Sequence, residues 1–431
     1  MLKLELDLLD TKVVGRESGL ELAAELSAWD EDLKEAYERL LARAQDPGAM
    51  LGWVRLPEDT EAAREVKRYA EAADFAEEVV VLGIGGSALP ARGLYQALGK
   101  RARRLHFVDH TDPALVQRLL DSLHPERTLV LAVSKSGRTV ETAALLLVFL
   151  SWLKGALGED WRRHLAVVTD PERGPLAELA KREGLRHFAI PPDVGGRYSA
   201  FTPAGTLPLA LAGADVEALF AGARRATRRV LETAARSALV LYLLERYRKK
   251  PIHVFMPYGE RLAGVAAWFA QLHAESLGKA KDRRGSRVHL GPTPLPARGP
   301  ADQHSLLQLF AEGPFDKVIF FVRLKDPGAE LKIPAASELP EFSFLFEKGL
   351  FELESAEAEG TRRALAEAGR PSLTLWLERP DEENLGELYQ FLMWQTAILG
   401  ELYQVNAFDQ LGVELAKKYA RELLERDEGS P

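Results

Sequence analysis

The chain has 431 residues and a net charge of −8 at neutral pH. This length suffices for two or three domains, and the acidic balance argues against nucleic acid or an anionic membrane surface as a main partner. No cysteine is present, which excludes disulfides and thiol chemistry. The charged N-terminus is unlike a signal peptide, and no uninterrupted apolar run has the length of a bilayer span. We therefore expect a cytoplasmic protein that does not insert into membranes.

Asparagine occurs only at positions 384 and 406, whereas charged residues make up 28% of the chain. Few thermolabile residues together with many charges indicate a thermophilic source.

The first 50 residues are predicted to form an N-terminal helical segment. Apolar residues recur with a helical period over residues 18–44, and the turn signal Asp46-Pro47-Gly48 ends that helix. A second helix is predicted over residues 59–76, directly before the first clear strand.

Strands and helices then alternate along the chain. Strands are predicted at residues 79–84, 105–108, 129–133, 165–169 and 187–190, separated by helices. This alternation is typical of an α/β fold and predicts a first αβα sandwich, over residues 51–212, with a mostly parallel five-stranded sheet.

A second αβα sandwich is predicted over residues 213–405. Helical residues to about position 250 precede strands at 251–256, 287–290, 317–324 and 372–377, which again alternate with helices. Residues 406–431 are predicted as a C-terminal helix, over 410–424, followed by a frayed tail.

A strand, a small-residue loop and a helix follow one another over residues 129–150. This geometry directs free backbone N–H groups at an anion. The loop adds hydroxyl donors and positive charge from five residues: Ser134, Lys135, Ser136, Arg138 and Thr139. The pattern favours a site for a phosphate monoester without a metal, or equally an ordinary turn with capping hydroxyls.

The glycine-rich segment Gly83-Ile84-Gly85-Gly86-Ser87-Ala88 also lies between a strand and a helix. Its spacing fits the dinucleotide fingerprint G-x-G-x-x-A, and Asp109 ends the next strand where a ribose-binding acid would lie. A nicotinamide-dependent dehydrogenase is therefore an alternative. Gly86 and Ser87 instead favour sugar contacts beside the phosphate loop, and a simple tight turn is the third interpretation.

Two further segments carry candidate catalytic groups. Gly195-Gly196 presents Arg197, which either stabilises an oxyanion or forms a surface salt bridge. Gln271 and Glu275 share one helix face at i,i+4 spacing. Glu275 is near the helix C-terminus, where the helix dipole disfavours the carboxylate anion. A carboxylate in that position takes up a proton more readily, which suits a general base; a solvated glutamate is the alternative interpretation.

His304 is predicted at the start of a helix, where a histidine can shuttle protons or serve a structural role. Gln410 and Lys417 lie on one polar stripe of the last helix, which either closes a pocket or faces solvent. No grouping of His, Asp and Glu has the spacing of a zinc site, so we expect no metal.

Taken together and in this order, these motifs resemble the glucose-6-phosphate isomerase (phosphoglucose isomerase) family over about residues 80 to 418. The segments that carry the resemblance are GIGGSA (83–88), SKSGRTVET (134–142), GGRYS (195–199), AESLGK (274–279), DQHS (302–305) and FDQLGVELAKK (408–418). The GGRYS and FDQ-G-E-K segments are specific to that family rather than to sugar-isomerase domains in general.

The resemblance implies two sugar-isomerase (SIS) domains and a homodimer with active sites at the subunit interface. It implies reversible conversion of glucose 6-phosphate and fructose 6-phosphate without a cofactor. The alternative is a non-catalytic sugar-phosphate-binding regulator with SIS domains, and activity on mannose 6-phosphate stays open.

The resemblance also implies roles for individual residues. The phosphate loop corresponds to Ser134, Lys135, Ser136 and Thr139, and the sugar contacts to Gly86, Ser87, Gln271 and Gln410. Glu275 corresponds to the base that moves a proton between C1 and C2, and Arg197 to the residue near the enediolate. His304, expected from the partner subunit, and Lys417 correspond to the ring-opening pair. Arg138 departs from the family pattern, in which a small hydroxylated residue is expected.

Overall fold

The computed structural model describes residues 1–100 and 102–426 as two α/β units, each built around a five-stranded sheet. Every strand pair within these two sheets is parallel except the one at the edge formed by the N-terminus. The predicted fold class, two αβα sandwiches with mostly parallel sheets, is confirmed.

The first sheet has the strand order β3-β2-β4-β5-β6. Its strands are β2 (Glu78–Leu82), β3 (Arg104–Val108), β4 (Thr128–Val133), β5 (Leu165–Thr169) and β6 (Arg186–Ala189). They agree with the predicted positions to within two residues. The central strand β4 is buried along its whole length, as expected for a Val- and Leu-rich strand covered on both faces.

The second sheet differs in composition from the prediction. Its order is β1-β12-β11-β7-β10, formed by β1 (Lys3–Glu5), β7 (Ile252–Pro257), β10 (Thr293–Pro296), β11 (Lys317–Leu324) and β12 (Ser372–Leu377). The predicted strand at residues 287–290 is β9 (Arg287–Leu290), which instead pairs with β8 (Lys279–Lys281) in a separate antiparallel ribbon. The edge strand β10 was not predicted, because two of its four residues are proline, a residue that argues against a central strand but is accepted in an edge strand.

The N-terminal segment contains helices and also the unpredicted strand β1, which pairs antiparallel with β12. The predicted helix at residues 18–44 is two helices that break at Trp29. The helices that precede the first sheet are α1 (Thr11–Val14), α2 (Leu22–Ala28), α3 (Asp30–Arg43) and α4 (Thr60–Ala72).

The remaining helices cover the sheets or join the two units. Those of the first unit are α5 (Leu89–Leu98), α6 (Pro113–Ser122), α7 (Val140–Leu157), α8 (Pro175–Glu183) and α9 (Pro203–Leu211). Those that follow are α10 (Val216–Arg228), α11 (Ala234–Arg248), α12 (Ala263–Leu277), α13 (Leu307–Glu312), α14 (Leu350–Glu367), α15 (Glu382–Leu402) and α16 (Glu414–Arg426). Short 3₁₀ turns precede α12, α13 and α16 where longer helices were predicted.

One apolar core runs through both units, because strands of both sheets pack against the same helices. Helix α15 lies at its centre and is buried along nearly its whole length. Its contact with α10 is close because glycines face the neighbouring backbone: a Cβ at Gly386 would lie 2.0 Å from the Leu219 carbonyl oxygen. Glycine at this crossing therefore lets α10 and α15 approach each other closely.

The segment Val140–His164, which contains α7, is long and apolar enough to cross a membrane by length and composition alone. In the fold, Leu145, Leu146, Phe149 and Leu153 pack into the core on the outer face of the first sheet. Only 28% of this apolar stretch is buried, and its other face carries exposed apolar side chains such as Leu147.

The C-terminal helix α16 extends two residues beyond the predicted helix end. Its residues are exposed or only partly covered wherever their side chains are described. The rest of the predicted frayed tail, residues 427–431, lies outside the described residues.

Candidate active site

Two of the predicted loops lie side by side at the carboxyl edge of the first sheet. The loop after β2 and the loop after β4 are neighbours because these strands pair directly and in parallel. A Cβ at Gly83 would lie 3.2 Å from the Val133 carbonyl oxygen, so the loops touch where the strands end. The carboxyl edge of a parallel sheet is where α/β proteins bind ligands.

The loop after β4 is held by its own hydroxyl groups. Ser134 Oγ and Thr139 Oγ1 are 2.9 Å apart, and the Arg138 N–H donates to Ser136 Oγ at 3.2 Å. Gly137 has φ +64°, which lets the chain turn back towards α7. Thr139 precedes the first residue of α7, and its side chain makes no capping hydrogen bond there. The first N–H groups of α7 therefore stay available to an anion.

The Lys135 side chain contacts a neighbouring segment. Its Nζ donates to the Pro192 carbonyl oxygen at 2.8 Å. Burial lowers the pKa of Lys135, against the opposing effect of Asp170 and Asp193. The Lys135 side chain thus links the loop after β4 to the segment that leads to Arg197, and Arg138 is exposed.

The loop after β2 packs tightly against the Gly195-Gly196-Arg197 segment. Ser199 Oγ donates to the Gly86 carbonyl oxygen at 2.9 Å. A Cβ at Gly86 would lie 2.2 Å from the Gly196 carbonyl carbon and 2.7 Å from the Arg197 nitrogen. Gly86 therefore permits a backbone contact that places Arg197, and Ser87 beside it is partly exposed.

We expect Gly86→Ala to lower both the stability and the turnover of the protein, because no rotamer change can relieve a Cβ clash with backbone. The expected loss is about 1–3 kcal/mol of unfolding free energy. Denaturant unfolding and steady-state kinetics measure the two effects. Gly155→Ala is the matched control, because a Cβ at this helical glycine meets no atom within 4 Å. Equal stability of the two variants would contradict this close contact.

Arg197 is held by backbone and side-chain acceptors on three sides. Its side chain is 1% exposed. Nε donates to Ser276 Oγ at 2.8 Å, and Nη2 donates to the carbonyl oxygens of Ala407 at 2.7 Å and Asp409 at 3.0 Å. The Arg197 carbonyl oxygen accepts from Trp268 Nε1 at 3.2 Å. The guanidinium is therefore fixed in one orientation before any ligand arrives.

The remaining guanidinium nitrogen faces the predicted base. Arg197 Nη1 donates to Gln410 Oε1 and, at 3.4 Å, to Glu275 Oε2. The other oxygen of Glu275 accepts from Gln271 Nε2 at 3.0 Å, as the i,i+4 spacing predicted. The Gln271 amide lies over Gly85, whose Cβ would be 2.8 Å from Nε2. A carboxylate, an arginine and two amides from three segments thus converge beside the loop after β2.

The Glu275 carboxylate is only partly covered, with 32% of its side chain exposed, while its arginine partner is fully buried. Gln271 Oε1 is buried and has no hydrogen-bond partner among the described residues. The arrangement therefore offers a reachable carboxylate, a fixed cation and a free amide acceptor. That combination suits removal of a proton from carbon next to a carbonyl group.

His304 and Lys417 lie outside this cluster in the single chain. His304 ends the 3₁₀ turn Ala301–His304 and is exposed. Lys417 is on α16, where its Nζ donates to Glu414 Oε1 at 2.9 Å, and its side chain is 63% exposed. Within residues 1–100 and 102–426, neither side chain hydrogen-bonds to Glu275 or Arg197.

Three residues that support the cluster were not singled out from the sequence. Ser276 accepts from Arg197, and Lys279 and Asp409 form an ion pair of 2.7 Å beside it. All three lie inside the AESLGK and FDQLGVELAKK segments. The motifs therefore indicated the region of the site, but they did not predict which contacts these residues make. Across the described part of the chain, no cluster of three or more His, Asp or Glu residues could hold a metal ion.

The dehydrogenase interpretation of the loop after β2 finds no support in this geometry. The 195–197 backbone covers Gly86 at van der Waals distance, where the fingerprint glycines would leave room for a pyrophosphate. Asp109 pairs with Arg92 at 2.7 Å instead of standing free for a ribose hydroxyl.

Known proteins resemble the chain over nearly its whole length. A family described as phosphoglucose isomerase matches residues 58–324 and 352–430. A glucose-6-phosphate isomerase of Thermus thermophilus is 54% identical over 397 residues, which cover 91% of this chain and 94% of that protein. One from Rubrobacter xylanophilus is 42% identical over 412 residues, covering 90% of this chain and 93% of that protein.

Solved structures agree with this relationship. The crystal structure of a hypothetical protein from Thermus thermophilus superimposes with a TM-score of 0.93 at 51% identity, covering 98% of this chain and all of that one. A glucose-6-phosphate isomerase structure from Chlamydia trachomatis, at 24% identity, has a TM-score of 0.77 over 86% of this chain and 74% of that one, which shows the shared fold. The chain belongs to the phosphoglucose isomerase family.

Proposed function

We propose that the chain interconverts glucose 6-phosphate and fructose 6-phosphate. The observation that carries this proposal is the partly exposed Glu275 carboxylate, fixed between Gln271 and the buried Arg197. The family and its glucose-6-phosphate isomerase relatives support the same activity. The reaction needs a base at the carbon acid and a cation at the developing oxyanion, and these two side chains supply them.

Glu275 is the proposed base. In the open-chain aldose it removes the proton from C2, the C–H electron pair forms the C1–C2 double bond, and the charge moves to the oxygen on C1. A proton then moves from the hydroxyl group on C2 to the charged oxygen on C1, which leaves the charge on the C2 oxygen. The protonated Glu275 returns its proton to C1 while the C2 oxygen re-forms a carbonyl group, which gives the ketose. Arg197 stabilises the cis-enediolate between these steps, since its guanidinium is oriented in advance and requires no reorganisation.

The substrate phosphate is proposed to bind the loop after β4. Ser134, Ser136 and Thr139 provide hydroxyl groups there, and the start of α7 provides backbone N–H groups. Lys135 adds positive charge near this loop, although its Nζ contacts Pro192. Gly86 and Ser87 of the adjoining loop, with Gln271 and Gln410, are proposed to contact the sugar hydroxyls. Binding at the phosphate end orients the reacting carbons at Glu275.

Ring opening is proposed to use His304 and Lys417, with His304 supplied by a second subunit of a homodimer. Both side chains are exposed and stand apart from Glu275 in the single chain, which fits completion of the site by a second copy. We also propose a cytoplasmic location, which agrees with the lack of cysteine and with a sugar-phosphate substrate. No cofactor is assigned.

Incubation with fructose 6-phosphate in D₂O containing EDTA, followed by NMR, tests the reaction. We expect glucose 6-phosphate carrying deuterium at C2, because a carboxylate base exchanges its proton with solvent. Product without deuterium would still demonstrate isomerase activity. The transfer would then be a hydride shift, or the proton on the base would be shielded from exchange with solvent. Folded protein that binds the sugar phosphate without forming product would favour the non-catalytic regulator.

A further inference from the structure

Lys279 is a buried cation beside the active site that the proposed mechanism does not use. It lies two residues after the end of α12 and four residues after Glu275, and its side chain is 10% exposed. Its Nζ donates to the Asp409 carbonyl oxygen at 2.5 Å and to Asp409 Oδ1 at 2.7 Å. Lys279 therefore connects the helix that carries the base to the segment that encloses Arg197.

Asp409 contacts both cations. Its carbonyl oxygen accepts from Arg197 Nη2 as well as from Lys279, while its side-chain Oδ2 accepts from Asn406 at 3.0 Å. The Asp409 side chain is 38% exposed. It belongs to the same residue whose backbone carbonyl accepts from the Arg197 guanidinium. An Asp409 carboxylate without a cation of its own would compete with substrate for Arg197.

We propose that Lys279 is a positioning residue: it engages the Asp409 carboxylate and so keeps the Arg197 guanidinium directed at Glu275 and at the oxyanion of the substrate. This inference rests on the proposed isomerase activity. Its effect is on the transition state, where charge develops on oxygen, more than on binding of the uncharged sugar end.

The charges around Lys279 agree with this role. Burial lowers the pKa of Lys279, the hydrogen bond and charge of Asp409 raise it, Arg197 lowers it further, and Glu275 raises it. Lys279 therefore interacts electrostatically with both Arg197 and Glu275, the proposed catalytic residues. Lys281, two residues later in β8, is exposed and provides a matched surface lysine.

The test compares Lys279→Met with Lys281→Met in fructose 6-phosphate turnover. We expect kcat of Lys279→Met to fall about tenfold to a hundredfold with KM changed less than about threefold, and Lys281→Met to stay within about twofold of the wild type. Lys279→Gln is measured in parallel, since its amide can donate to the Asp409 carbonyl but carries no charge. Normal kcat in either Lys279 variant would overturn the inference.

A second substitution separates this role from simple structural support. Adding Asp409→Asn to Lys279→Met removes the competing carboxylate and keeps the backbone carbonyl, so we expect kcat at least about fivefold above that of Lys279→Met alone. A double variant no faster than Lys279→Met would overturn the inference. A wild type that forms no product would instead overturn the proposed function, and circular dichroism of each variant verifies that it is folded.

Discussion

Replacement of Glu275 by glutamine is expected to lower kcat about 10³-fold while substrate still binds. The amide keeps the shape of the side chain and can still accept from Arg197 or Gln271, but it cannot take a proton from carbon. Arg197 keeps its buried position because Ser276, Ala407 and Asp409 still accept from it. Steady-state kinetics with fructose 6-phosphate measure the change, and deuterium incorporation in D₂O is expected to fall in parallel.

Glu260→Gln is the control for this variant. Glu260 opens the 3₁₀ turn before the same helix, and its side chain is 66% exposed. The control should keep wild-type kcat. A Glu275→Gln enzyme with near-normal kcat would remove Glu275 from the role of base, because an amide at that position cannot perform the transfer.

Replacement of Arg197 by lysine is expected to lower kcat about 10²- to 10³-fold, with a smaller change in KM. Lysine keeps one positive charge but loses the planar fork. One ammonium cannot reach Ser276, Ala407, Asp409 and Glu275 together, as the guanidinium does. The cation would then no longer be fixed at the point where the enediolate charge develops.

Arg104→Lys serves as the comparison, because Arg104 is on β3 with 71% of its side chain exposed. Thermal unfolding is measured for both variants, since a lysine buried at position 197 also costs stability. If Arg197→Lys retained kcat and lost only thermal stability, Arg197 would be a structural residue and not the group that stabilises the oxyanion.

The alternation of apolar strands and helices was sufficient to predict the fold class, because strands buried on both faces are continuous apolar runs. Strands β4, β11 and β12 are examples. The prediction was wrong where pairing partners decide the structure. Strand β1 is three residues long and acquires its conformation by pairing with β12, which lies near the other end of the chain, and β9 leaves the sheet for the ribbon with β8.

Among the site residues, local spacing was informative where the contact is local. Gln271 and Glu275 meet because they are one helical turn apart, and Ser134 and Thr139 meet within one loop. Contacts between distant segments could not be read from spacing. The approach of Gly86 to Gly196 and the position of Gln410 at Arg197 depend on how the two sheets and α12 pack together.

The sequence by itself therefore determined the two α/β units, the loops after β2 and β4 and the helix face that carries Glu275, because periodicity and short-range turns specify them. Only the tertiary structure decided that Arg197 is buried among Ser276, Ala407 and Asp409, and that Lys279 pairs with Asp409. The physical reason is that a buried guanidinium requires acceptors from segments far apart in the chain, and only packing of the core brings those acceptors within hydrogen-bond distance.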